Sequence, residues 1–198
     1  MNLPNAICDI TSRRAFIGGA AASLLAPQAL AAGPVSGARF PVQLREMAVT
    51  DARSKGRYML LRDLLRDRVG VVSFMFTGCS MICPMQASLL SRTQRQLASE
   101  MGKRVVFLSI SITPLTDTVE ALVRFADTHR AGTGWHFLRG SLADTQRLQA
   151  GFDSLAPRVE DHPPMFAIGK ASDSRWTRLY GDAKPEKIAR VVRQWVSS

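Results

Sequence analysis

Residues 69–86 read VGVVSFMFTGCSMICPMQ, and the order of features in this stretch decides the fold. Val69 to Phe76 is a nearly continuous apolar run, so both faces of the strand it forms must be buried, as in the centre of a parallel sheet. Cys79 and Cys83 follow at once. Pro84 then suits the first turn of a helix, where its missing N–H is no loss. That helix carries an apolar row at Met85, Leu89, Thr93, Leu97 and Met101 and ends near Gly102. A second buried run, RVVFLSISI at residues 104–112, completes a strand–helix–strand crossover, the βαβ unit.

Downstream, a helix is expected from Asp117, whose spacing to Glu120 fits a capping box, with Val119, Leu122, Val123 and Ala126 on its apolar face. His136–Leu138 reads as a short strand and Ser141–Phe152 as a helix. Met165–Ile168 and Trp176–Tyr180, joined by a polar turn, read as an antiparallel hairpin. Pro185 opens a last helix that turns Ile188, Val191, Val192 and Trp195 inward. Upstream, Phe40–Asp51 alternates as one extended lead-in strand, and Leu60–Arg66 suits a short helical turn. The order βαβ, α, ββα predicts an α/β protein with a thioredoxin-like fold, a central mixed sheet flanked by helices. The cysteines fall where the first central strand meets its helix.

The first 31 residues read as an export signal. Arg13 and Arg14 stand ahead of an apolar stretch from Ala15 to Leu25, and Ala29-Leu30-Ala31 offers a small-residue cleavage site. Ser12-Arg13-Arg14-Ala15-Phe16-Ile17 matches the twin-arginine type, which passes folded proteins across a bacterial inner membrane. An uncleaved inner-membrane anchor is the alternative, against which the stretch falls short of the roughly 20 apolar residues of a span. Residues 32–39 are expected to be a linker and 40–198 the folded domain, located in the periplasm. Cleavage would remove Cys8 and leave Cys79 and Cys83 as a lone pair in an oxidising compartment. The net charge of +10 comes from basic residues scattered along the chain rather than gathered in one run. That distribution suits an anionic membrane surface or an acidic partner protein, and no nucleic-acid partner is expected.

A cysteine at a helix N-terminus meets unpaired N–H groups and the positive end of the helix dipole, which favour thiolate. At i and i+4 two sulfurs share one helical face, and can converge into a disulfide or onto one ion. The spacing alone does not choose between them. Two thiolates are soft donors suited to Cu(I) or zinc, but structural zinc wants four ligands where copper accepts two or three. Of the three histidines, His129 is expected to be an exposed residue at a helix end, and His136 a packed or half-exposed strand residue. His162 precedes Pro163-Pro164 on a loop that the topology returns toward the end of the first central strand. Met81, Met85 and Met165 lie near these positions; a thioether could add a soft donor, although plain packing is the commoner role.

TGCSMICPM after a buried strand, SITPLTDT after the next, and EDHPPMFAIG before a hairpin together resemble the Sco (SenC) copper-chaperone family over roughly residues 45–195. The resemblance implies one copper per chain, as Cu(I) or Cu(II), bound by Cys79, Cys83 and His162. It also implies a role in assembling the copper site of cytochrome c oxidase, by delivering copper or reducing the target's cysteines. The expected partner is the copper-site subunit of that oxidase or another periplasmic copper protein. Two departures stand out: Ile82 is read at the place of an acid that the family commonly carries ahead of the second cysteine, in a CPDVCP pattern, and Thr113 replaces the first aspartate of DPxxDTP. The competing functions are a thiol–disulfide reductase using Cys79 and Cys83 as a redox-active pair, a peroxidase, and a purely structural Cys79–Cys83 disulfide. The last closes too short a loop to stabilise much.

Overall fold

The apolar run at residues 69–75 is a strand in which every residue is buried, and its two faces look into two separate clusters of core side chains. The computed structural model describes residues 37–54 and 58–198. The expected export signal lies outside the described residues. In chain order the strands are β1 (Ala38–Pro41), β2 (Ala48–Asp51), β3 (Tyr58–Leu60), β4 (Val69–Met75), β5 (Val105–Ser111), β6 (Trp135–Arg139), β7 (Met165–Lys170) and β8 (Arg175–Tyr180). The helices are α1 (Leu61–Leu65), α2 (Ile82–Gln96), α3 (Val119–Thr128), α4 (Leu142–Gly151) and α5 (Pro185–Ser197). One mixed eight-stranded sheet has the order β1-β8-β7-β4-β5-β6-β2-β3. Its centre, β4, β5 and β6, is parallel, and β7 lies antiparallel to β4. This is the α/β, thioredoxin-like arrangement expected.

Helices cover both faces. Val71, Met75, Phe107, Phe137 and Ile168 pack against α2, α3 and α5, which contribute Leu90, Leu122, Ile188 and Trp195. Val72, Phe74, Leu108, Ile110 and Trp176 pack against α1 and α4 through Leu61, Leu65, Leu148 and Phe152. Alternate residues of β4 and β5 therefore serve two cores, which is why their sequences show no polar face. Among the described residues no helix is long and apolar enough to cross a membrane.

The lead-in Phe40–Asp51 is two strands, not one. β1 pairs with β8 at one edge, Val42 N–H donates to Ser174 O and Gln43 N–H to Gly151 O, and β2 then pairs with β6 near the other edge. Residues 42–47 cross from edge to edge, and β1 begins inside the stretch expected to be linker. α2 also differs from its expected pattern. Its buried residues are Cys83, Gln86, Ala87, Leu90, Ser91 and Thr93, while Met85 is exposed, and the α-helix ends at Gln96 rather than near Gly102. The cap of α3 is Thr118, whose side chain accepts from Ala121 N–H at 3.1 Å, instead of Asp117.

Candidate metal centre

The site stands at the carboxyl end of β4, where the chain leaves the sheet, turns through Thr77–Met81 and enters α2. Cys79 N–H donates to Phe76 O at 3.3 Å, closing a tight turn that sets the Cys79 sulfur at the helix entrance. The Cys83 amide then donates to Cys79 Sγ at 3.3 Å. Both cysteines are free thiols, Cys79 partly exposed and Cys83 buried. Burial raises the Cys79 pKa, but the Cys83 amide and thiol and the amides of Met81 and Ile82 outweigh it and hold the thiol below its ordinary value. Cys83 is the opposite. Burial, against a lowering contact from the Phe76 backbone, pushes it up to about 12, and the neighbouring Cys79 and Asp117 charges act in the same direction.

His162 follows a short 3-10 turn, Val159–Asp161, and is only 5% exposed. Its Nδ1 lies 2.8 Å from Val159 O. A carbonyl can only accept, so Nδ1 carries a proton, and in the neutral ring the lone pair is on Nε2. That Nε2 is buried and has no hydrogen-bond partner. This is the tautomer and the inner hydrogen bond that a metal-ligating histidine uses. The loop is pinned on its far side: Gly181 N–H donates to Pro164 O at 2.8 Å, and Gln86 Nε2 on α2 to Met165 O at 3.4 Å.

Cys79 and His162 line one pocket of about 330 Å³, together with Phe76, Gly78, Ser80, Met81, Ile82 and Glu160. Cys83 is not part of this lining; its side chain belongs to the core beneath α2. Among the described residues no three His, Cys, Asp or Glu side chains converge closely enough to enclose an ion. The three expected ligands thus share one corner of the fold with two at the pocket and the third behind it. The donor chemistry fits a soft metal, two thiols and a neutral imidazole, and the unpartnered Nε2 is the specific sign of it.

The other histidines are elsewhere. His129 caps the end of α3, half-buried against Phe125 at 4.6 Å between ring centroids rather than exposed, and burial lowers its pKa. His136 is partly exposed on β6, with Nδ1 2.7 Å from buried Asp51. The three methionines divide: Met165 is buried, whereas Met85 is 43% and Met81 74% exposed. Position by position, CSMICP sets Met81 against the acid of CPDVCP, and Ile82 against its valine, so the departure belongs to Met81. One residue was read for the wrong task. Asp117 is buried beneath the cysteine loop and accepts from Thr77 N–H at 3.0 Å, Thr77 Oγ1 at 2.5 Å and Ser111 Oγ at 2.6 Å. Its place within SITPLTDT was the available signal.

Fold and site together define a thioredoxin-like domain with a two-cysteine loop and a histidine returned beside it. The SCO1/SenC family profile matches residues 37–197, and the chain belongs to that family. It is similar to a SCO1/SenC family lipoprotein from Bacillus anthracis, 25% identical, covering 79% of this chain and 96% of that one at a TM-score of 0.68. Yeast Sco1 with copper bound is 17% identical over 80% of this chain and 90% of its own, at 0.65. BsSco, a member of the Sco family of cytochrome c oxidase assembly proteins, is 20% identical over 81% and 97%, at 0.69. A protein of Stutzerimonas stutzeri named for copper binding is 31% identical over 86 residues, 43% of this chain and 41% of that relative's length.

Proposed function

We propose that this chain is an exported, copper-binding metallochaperone that holds one copper through Cys79, Cys83 and His162. Its task is assembly of the copper site of cytochrome c oxidase or a related periplasmic copper enzyme, reached through the export signal in residues 1–31, with association at the membrane surface. The observation that carries this reading is the buried His162 imidazole, whose Nδ1–H is committed to Val159 O while Nε2 has no partner in the pocket it shares with Cys79. A buried acceptor left unpaired is unfavourable, and a metal ion removes that cost. Two thiolates and one imidazole satisfy Cu(I), and Cu(II) finds room for a further ligand at the open pocket. Binding through all three residues requires the ion to reach the buried Cys83 thiol, which is already hydrogen-bonded to Cys79. The shallow position at a strand–helix junction lets a partner's thiols take the cargo by ligand exchange. Copper-bound yeast Sco1 and the relative named for copper binding support the choice of metal.

The test is a copper titration of the reduced full-length chain, followed by absorbance and paramagnetic resonance. One copper per chain is expected, and His162→Ala should weaken Cu(II) far more than it disturbs the fold. Unchanged copper binding in both His162→Ala and Cys83→Ser refutes the site.

Thiol–disulfide reduction is the second reading, favoured by the contrast between an accessible Cys79 and a buried Cys83. Cys79 thiolate would attack a partner disulfide, forming a mixed disulfide and releasing one partner thiol. Cys83 would then attack Cys79 Sγ, closing the internal disulfide and releasing the second thiol, two electrons having passed to the partner. This activity should survive His162→Ala, whereas Cu(II) binding should not.

A further inference from the structure

Met81 has neither of the usual reasons for its residue type. It is 74% exposed, so it packs against no core, and it occupies the N-cap of α2 without a side-chain cap hydrogen bond. That position ordinarily favours Ser, Thr, Asp or Asn, whose oxygen accepts from the first free amides, and a methionine supplies nothing there. What Met81 does is line the pocket beside Cys79 and His162. Cys83, by contrast, is 1% exposed and outside the lining. Glu160 is the carboxylate of the pocket, a hard oxygen donor.

Resting on the copper-binding reading above, we propose that Met81, Cys79 and His162 form an outer capture site for Cu(I), which Cys83 joins only afterwards. The residues that bear these donors, Met81, Cys79 and His162, line one pocket, whereas Cys83 does not. A thioether is neutral, soft and unprotonated, so it favours Cu(I) over zinc or magnesium and gives up no proton on binding. Methionine's three rotatable bonds let an exposed sulfur follow the ion. Capture is ligand exchange at constant oxidation state: as the Cu–S bond forms at Cys79, the bond from Cu(I) to the ligand that carried it in breaks and that ligand leaves, the Cys79 proton passes to solvent, and Met81 and His162 fill the remaining positions. Cys83 then releases its own proton and displaces the thioether, giving the tighter final set.

Removing Cys83 should isolate the outer set. In the reduced full-length chain, Cys83→Ser should still bind one Cu(I) in competition with bicinchoninate. Adding Met81→Leu to it should weaken that binding about tenfold or more, as losing a metal-supporting group does. The substitution keeps shape and hydrophobicity at an exposed position, and circular dichroism checks the fold. Met85→Leu in the same background, exposed but outside the pocket, should leave the affinity within about threefold. With selenomethionine in place of methionine, X-ray absorption of the Cys83→Ser chain should show a copper neighbour at selenium. Equal affinity with and without Met81, or an equal loss from Met85→Leu, overturns the capture site while the copper reading stands. A wild-type chain that takes up no Cu(I) overturns both.

Discussion

Asp117→Ala tests whether the cysteine loop is held from below. The carboxylate is 2% exposed and accepts three hydrogen bonds, from Thr77 N–H, Thr77 Oγ1 and Ser111 Oγ. A hydrogen bond to a charged acceptor contributes about 1.5–3 kcal/mol net. The two hydroxyls can turn toward each other or toward water entering the cavity, whereas the Thr77 amide is fixed by the backbone leaving β4. Truncation should therefore destabilise the fold by about 3–5 kcal/mol, less than three full bonds and more than one. Asp117→Asn keeps an oxygen for both Thr77 donors and presents its amide to Ser111 Oγ, so about 1–2 kcal/mol is expected. Urea unfolding at constant m reads these differences as shifts of the midpoint. Because the loop carries Cys79, Asp117→Ala should also weaken Cu(I) binding about tenfold in the folded fraction, with Asp117→Asn nearer to wild type. Thr77→Val, which deletes the hydroxyl and keeps the amide bond, should show a coupling with Asp117→Ala of at least about 0.5 kcal/mol in a double-mutant cycle. A loss under about 1 kcal/mol for Asp117→Ala, or equal losses for Ala and Asn, would refute the reasoning.

Two further tests use the titrating groups. In the native reduced chain, iodoacetamide at mildly alkaline pH should modify Cys79 well before Cys83, since Cys79 is accessible and held below its ordinary pKa whereas Cys83 is 1% exposed and pushed up to about 12. Peptide mapping reads the order, and Cys83 reacting first contradicts the geometry. Asp51 is subject to burial that raises its pKa, outweighed by hydrogen bonds from His136, Ser54 and the Arg53 amide and by the His136 charge, so its folded value lies below 3.8. A depressed carboxylate contributes stability that is complete above the unfolded value and is lost as pH falls through the folded one. His136→Ala removes the main lowering partner, so its deficit against wild type should be present above about pH 4 and shrink below it. Thermal melts across the acid limb measure it; a deficit that grows below about pH 4 sinks the assignment.

The fold was legible where the pattern was local. Val69–Phe76 and Arg104–Ile112 announced central strands because both faces of each had to be apolar, and Pro185 marked the start of α5 because its ring fits a first helical turn. The lead-in was not legible. Nothing in the alternation of Phe40–Asp51 records that its two halves pair with opposite sides of the sheet, since that depends on partners more than 80 residues away. The row from Met85 failed for a related reason: residues four apart drift around a 3.6-residue helix, and the face that is buried is set by Cys83, Ala87 and Leu90 against α5. At the site, spacing and residue type singled out Cys79, Cys83 and His162, while the inward turn of Asp117 and the outward turn of Met81 are facts of packing. Asp117 and Thr118 both suit a helix cap, and only the hydroxyls of Thr77 and Ser111 decide which of them turns inward.

The arrangement also explains why the two thiols differ so widely across a single hydrogen bond. Two thiolates side by side repel, and in this corner little opposes that repulsion: Cys83 sits among core side chains, and the nearby Asp117 carboxylate adds negative charge. The amides of Met81, Ile82 and Cys83 converge on Cys79 alone and favour its thiolate. Cys79 is thereby the readier of the two thiols to ionise, and on the copper reading proposed above an incoming cation would favour loss of the second proton. A monovalent soft cation is the smallest charge that meets this condition. Ile82 and Met81, standing between the cysteines, supply neither a positive charge to replace it nor a further negative one to compete for it. On the copper reading proposed above, the side chains between the cysteines would thus leave the second deprotonation to the incoming ion.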